Sequence, residues 1–208
     1  MKAVAALILA ASLGGCGLAV SLLLDNLPTP EGFRAEQQGV LLPVDVAVWG
    51  TEPRWWYAED GGLQVAPGGG IGVRVPGLTM FRATLHVSST RGYRLLLRST
   101  PTEQKRGRTA PVVLTVDSMG TCTLRTPTVW DTLELPAGRH RWELVQLERG
   151  YWIRFECLPQ RWIPVEGALT EWVLIEPLPG STVWLHGLAL QEVIPLLGVK
   201  EEWHSGVR

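Results

Sequence analysis

The sequence predicts an all-β domain made of two packed antiparallel sheets, with an apolar N-terminal segment directed to a membrane. Three observations carry this. From Val40 to Val193, polarity alternates with period two and turn residues interrupt it every eight to twelve positions, the pattern of half-buried strands joined by tight turns. Gly 23 and Pro 15 in 208 residues are too many breakers for a helical bundle and show no collagen period. Twenty-two uncharged residues run from Ala3 to Leu24, and at about 1.5 Å per residue a helix of that length covers a bilayer core. With 46% hydrophobic and 19% charged residues, the remainder can bury a core and is not a disordered chain.

The N-terminal element is expected over residues 1–24. Lys2 precedes it and Asp25 and Glu31 follow, so the positive-inside tendency puts the N-terminus in the cytoplasm and the domain outside. Two anchors fit. Leu13-Gly14-Gly15-Cys16 resembles the lipobox of bacterial lipoproteins, which implies cleavage and acylation at Cys16. It departs from that pattern in Gly14 and in the apolar LAVSLLL that follows. The other anchor is an uncleaved transmembrane helix with Gly14, Gly15 and Gly17 as a small-residue packing face. Both place the domain in the bacterial cell envelope, on the periplasmic or extracellular side, with membrane lipid as a partner.

Residues 25–39, DNLPTPEGFRAEQQG, are polar, aperiodic and rich in Pro and Gly, and read as a linker. The sandwich is expected over 40–193 and a tail over 194–208. Within the sandwich, Phe81, Ala83, Leu85 and Val87 share one face of a strand, with Arg82, Thr84 and His86 on the other. The strand from Tyr93 repeats the alternation, and PVVLTVD and GTCTLRT flank a hairpin. Eleven to thirteen strands are expected across this span, more than one open sheet of this size holds without splitting into two layers. Trp142, Trp152, Trp162 and Trp172 fall ten residues apart, with Trp184 close behind, which predicts one Trp per successive strand, chiefly as packing residues.

Cys122 and Cys157 remain as an even pair in an oxidising compartment. A disulfide closing about 35 residues would contribute roughly 4 kcal/mol. Two separately buried thiols are the alternative. No C-x-x-C occurs, and His86, His140, His186 and His204 share no ligand spacing, so no metal or cofactor is expected. The sequence has no G-x-S-x-G elbow, and its spacing nominates no Ser/His/Asp set. The glycine-rich Pro67–Gly72 leads into a strand, where a phosphate loop needs a helix N-terminus. Net charge is -1, so no nucleic-acid footprint is expected.

The segments WYAEDGGLQV, FRATLHVSSTRGYRLLLRS, PVVLTVD, LPAGRHRWELVQLERGYWIRFEC and STVWLHGLALQEV together resemble the concanavalin A-like jelly roll, especially the laminin-G-like and keto-disaccharide-hydrolase-like envelope domains. The resemblance covers residues 40–193 and implies a jelly-roll sandwich. It departs at Cys157-Leu158-Pro159, where the family has Asp-Gly. The E-x-D-x-x-E motif of its hydrolase branch is also absent. For the paired carboxylates of glycoside hydrolysis the nearest candidates are Glu59 with Asp60 and Glu171 with Glu176.

Binding surfaces are therefore the expected functional features. Arg82, Arg94 and Arg98, on the polar faces of two neighbouring strands, would join the Lys105–Arg108 loop in a basic patch for an acidic partner or anionic headgroups. Trp55, Trp56 and Tyr57 put at least one indole outward, and Trp152 is a further candidate. The tail carries Ile194 and Trp203 as a docking arm. These features predict a non-catalytic, membrane-anchored binding and assembly module, an accessory subunit of a bacterial membrane complex. The alternatives are a carbohydrate-binding envelope lipoprotein, with Trp55, Trp56 or Trp152 stacking on a glycan, and a glycoside hydrolase.

Overall fold

A computed structural model describes residues 22–24, 27–50, 54–127, 130–136, 138–156 and 158–194. Alternating burial drives the architecture. In His140–Leu147, for example, His140, Trp142, Leu144 and Gln146 point inward while Arg141, Glu143 and Val145 point outward, because successive strand residues face opposite sides of a sheet.

The first sheet has eight strands in the order β1 (Leu22–Leu24), β4 (Asp45–Gly50), β7 (Gly69–Arg74), β16 (Trp172–Pro177), β9 (Gly92–Leu97), β10 (Val112–Asp117), β11 (Thr121–Arg125) and β12 (Trp130–Glu134). The second runs β15 (Arg161–Pro164), β14 (Gly150–Phe155), β13 (His140–Leu147), β8 (Phe81–Ser89), β17 (Val183–Glu192), β2 (Phe33–Gln37) and β3 (Val40–Leu42). There β6 (Leu63–Val65) also pairs with β17, and β5 (Trp55–Tyr57) pairs with β6. All pairings are antiparallel except β17 with β2. Between the sheets lies one apolar core that includes Phe81, Leu85, Leu95, Trp142, Tyr151 and Ile175. A polar relay is buried within it: the Trp142 Nε1–H donates to Tyr93 Oη at 2.7 Å, and Tyr93 Oη lies 2.8 Å from His140 Nδ1. His140 Nε2 is 2.9 Å from the Pro136 carbonyl oxygen, so every polar atom of the relay has a partner.

The two-sheet sandwich is the expected fold class, but its N-terminal boundary is corrected. Residues 33–37, expected as linker, form β2, with Phe33 and Ala35 buried and Arg34 and Glu36 exposed. FRAEQ alternates correctly, and the surrounding Pro and Gly obscured it. Likewise Leu22–Leu24, the end of the expected anchor, pair with β4 as an edge strand. Residues 1–21, with Cys16, lie outside the described residues, as do Cys157 and Trp203. No described helix is long and apolar enough to cross a membrane. Cys122 is a buried free thiol, and burial pushes its pKa up to about 12.

The two outer faces differ. A short helix, α1 (Pro101–Lys105), is capped by Thr100 and Glu103 and packs against β4. On that side Trp49, Leu96, Ala110 and Leu174 form a second buried apolar cluster. Among the described residues the outer face of the second sheet has no such cover, and its outward side chains Arg82, Thr84, His86, Ser88, Arg141, Glu143, Val145, Trp152 and Arg154 are all at least partly accessible.

Candidate functional site on the second sheet

The five regularly spaced tryptophans do fall on five successive strands, β13 to β17, but only Trp142 is core, at 1% exposure. Trp152, Trp162, Trp172 and Trp184 are half-buried on outer faces. On the second sheet, paired residues share a face, so the pairings of Gln64 with Trp56 and with Trp184 make one row, Trp56–Gln64–Trp184. Trp56 is 43% exposed. Trp55 instead packs against the core and meets Tyr57 edge-on at 5.6 Å, while the Tyr57 hydroxyl donates to the Pro28 carbonyl at 2.9 Å. At the other end of the face, Trp152 and Trp162 pair at 5.3 Å.

Next to the aromatic row, the next strand in, β8, supplies Ser88, the cross-strand partner of Trp184. Ser88 Oγ lies 2.6 Å from His186 Nε2, and His186 Nδ1 is hydrogen-bonded to Asp60 Oδ2. Three local features produce this contact. His186 is the extra residue where the β17–β8 register shifts between Leu185 and Gly187, and such bulges re-aim a side chain. Asp60 sits in the turn between β5 and β6, closed by Gly61 with φ +80°. Gly32 and Gly62 let that turn lie directly on the bulge: a Cβ on Gly62 would sit 2.3 Å from the Leu185 carbonyl oxygen, and one on Gly32 2.7 Å from that of His186.

The electrostatics follow. Partial burial raises the Asp60 pKa, but the His186 hydrogen bond and charge, the Gly62 N–H and Arg139 outweigh it and hold the carboxyl below its ordinary value. Arg139 Nη1 is 3.8 Å from Asp60 Oδ2. Burial, then the charges of Arg139, Arg141 and His186, holds the His86 imidazole below its usual range. His86 therefore stays neutral at pH 7 and offers both a donor and an acceptor.

The expected basic patch is not assembled. β8 and β9 belong to opposite sheets, so Arg82 and Arg94 face opposite sides of the domain. Arg82 and Arg154 both bind Glu143 on the second sheet, and Arg94 pairs with Glu176 at 3.2 Å on the first. Arg98 is 4% exposed, with φ 59°, and its guanidinium donates to the carbonyls of Leu147, Glu148 and Gly167. Alternation cannot show that consecutive strands change sheets. The carboxylate candidates are dispersed as well: Glu171 accepts from the Gly77 N–H at 2.8 Å, Glu176 is engaged by Arg94, and Glu59 is exposed in the β5–β6 turn. Among the described residues no group of three metal-ligating side chains occurs. Sequence reading missed Ser88, His186 and Gln64: Asp60, Ser88 and His186 lie far apart in the chain with no local motif, and Gln64 joins the aromatic row only through cross-strand pairing.

No family model matches the chain, and no curated protein matches it. Among solved structures, a sialidase aligns over 73% of this chain and 16% of its own at 9% identity and a TM-score of 0.49. The carbohydrate binding module CBM66 from Bacillus subtilis aligns over 69% and 94%, at 10% identity and 0.44. The VIP36 exoplasmic/lumenal domain, Ca2+/Man3GlcNAc-bound, aligns over 77% and 88%, at 6% and 0.46. The chain thus spans 16% of the sialidase it matches. These likenesses concern the sandwich, and the site is read from its own geometry.

Proposed function

We propose that the domain binds saccharide on the outer face of its second sheet. The row Trp56–Gln64–Trp184 carries the reading. Indole faces stack on the C–H faces of sugar rings, and convergent polar groups fix a ligand's orientation. Gln64, neutral His86, Asp60 and Arg139 supply amide, imidazole, carboxylate and guanidinium groups around the indoles. The test is a glycan array of cell-wall and plant polysaccharides probed with the wild-type chain and with Trp56→Ala and Trp184→Ala. Binding that either substitution weakens supports the reading, and silence across the array overturns it.

The same proposal places the domain at the bacterial cell envelope, held by the apolar N-terminal run. With Leu22–Leu24 in β1, Ala3 to Ser21 remain for the membrane, nineteen residues or about 28 Å as a helix. Mass spectrometry of the mature N-terminus tests this: a diacylglyceryl-Cys16 start identifies a lipoprotein, an intact Met1 start in the membrane fraction identifies a retained helix, and a soluble chain lacking the run overturns anchoring. The accessory-subunit reading has less support. Its basic patch is dispersed over the two sheets, and its docking tail beyond Ile194 lies outside the described residues.

A further inference from the structure

We propose that Ser88, His186 and Asp60 form a hydrolytic centre for carboxylic esters, with Ser88 as nucleophile, His186 as general base and Asp60 as the group that orients the imidazole. The order of contacts is the one nucleophilic catalysis requires: hydroxyl to Nε2 at 2.6 Å, then Nδ1 to carboxylate. The donor and acceptor roles below are those of the neutral imidazole, the form in which His186 acts as a base. Ionised Asp60 can only accept, so Nδ1 carries the ring proton and Nε2 presents its lone pair to the Ser88 O–H. His186 keeps 17% of its side chain accessible, so the imidazole is partly buried and not sealed from the surface.

The fold also builds this contact at a cost that a chance surface hydrogen bond would not need. The bulge places His186 out of register, and Gly32, Gly61 and Gly62 bring the Asp60 turn into backbone contact with it. A cation also stands beside the triad: Arg139 Nη1 lies 3.8 Å from Asp60 Oδ2. Arg139 directly precedes His140, which pairs with Val87, so it runs alongside Ser88.

In the first step Ser88 Oγ attacks the ester carbonyl carbon and its proton passes to His186 Nε2. The C–O bond to the alcohol then breaks, the alcohol leaves with that proton, and an acyl-Ser88 remains. Water attacks the acyl carbon, giving its proton to Nε2. Ser88 Oγ departs and regains the proton, and the carboxylic acid is released. No oxidant or further reactant is needed.

The substrate class is an O-acylated saccharide, a choice that rests on the saccharide reading. Trp184 is the cross-strand neighbour of Ser88, so a sugar stacked on that indole would bring an O-acyl substituent to the hydroxyl.

The experiment treats the full chain with a fluorophosphonate probe, p-nitrophenyl acetate and O-acetylated xylan. The expected results are a phosphonyl adduct on the Ser88 peptide and hydrolysis that falls on the order of 10²-fold or more in Ser88→Ala and His186→Gln. Ser118→Ala, in an exposed turn, should retain full rate. An unlabelled Ser88, or undiminished hydrolysis in Ser88→Ala, overturns the centre. Labelling with p-nitrophenyl acetate turnover but no acetate release from xylan overturns the substrate class alone. Binding of deacetylated xylan by Ser88→Ala reports on the saccharide reading separately.

Discussion

Replacing Gly62 by Ala tests whether the site is built by backbone contact. The added Cβ would meet the Leu185 carbonyl oxygen at 2.3 Å, the His186 Cα at 2.7 Å and the His186 carbonyl carbon at 3.1 Å. The first contact lies more than ~1 Å inside ordinary van der Waals distance. All three atoms are backbone, so no rotamer change relieves them, and either the bulge or the Asp60 turn must move. Overpacking of this kind costs roughly 1–3 kcal/mol. A displacement of ~1 Å would also stretch the 2.6 Å Ser88–His186 contact beyond hydrogen-bond length. Gly77→Ala is the comparison. No atom lies within 4 Å of its Cβ, and its φ is +83°, so it bears only the left-handed strain of about 1 kcal/mol. Urea unfolding gives the stabilities, and imidazole nitrogen shifts of His186 report its hydrogen bonds. A Gly62→Ala protein within ~0.5 kcal/mol of wild type, with unchanged His186 shifts, would refute the close-contact account.

Three further outcomes are expected. Tyr93→Phe removes the hydroxyl that serves both Trp142 Nε1 and His140 Nδ1. Leaving two buried polar atoms unpaired should cost roughly 2–3 kcal/mol, read as a lower urea midpoint at unchanged slope, and a loss under ~0.5 kcal/mol would deny the relay a stabilising role. Arg98→Lys cannot reproduce a fork that reaches three carbonyls, and a loss of about 2 kcal/mol is expected, whereas an unchanged midpoint would mean that the carbonyls find other partners. For His86, the folded pKa lies below the unfolded value, so the folded state binds the proton less readily. Its contribution is present above about pH 6.5 and is lost as pH falls through the lower folded value. His86→Gln should flatten that part of the stability profile, and an identical acid limb would contradict it.

Much of the sandwich is legible in the sequence because period-two burial is a local property. Phe81, Ala83, Leu85 and Val87 face the core as their alternation requires, and so do Tyr93, Leu95 and Leu97. The ten-residue Trp spacing correctly implies one Trp per strand. Which sheet a strand joins is not local, so Arg82 and Arg94, on consecutive strands, end on opposite sides of the domain. Alternation predicts an exposed Arg98 because it says nothing of a strand end at φ 59°, where the side chain turns inward to carbonyls. The β2 strand was lost under the Pro and Gly around it. The Ser88–His186–Asp60 contact depends on a bulge and on three glycines from two separate loops, and neither has a periodic signature.

Saccharide binding by the row Trp56–Gln64–Trp184 requires that ligand meet the outer face of the second sheet. Saccharide titration followed through the indole N–H resonances tests it most directly, because the tryptophans are distributed over that face, the opposite face and the core. Trp56 and Trp184 should shift with a common dissociation constant, while Trp142, hydrogen-bonded to Tyr93 in the core, and Trp49, buried beneath the other face, stay fixed. Shifts confined to Trp49 and Trp172, on the first sheet, would contradict it.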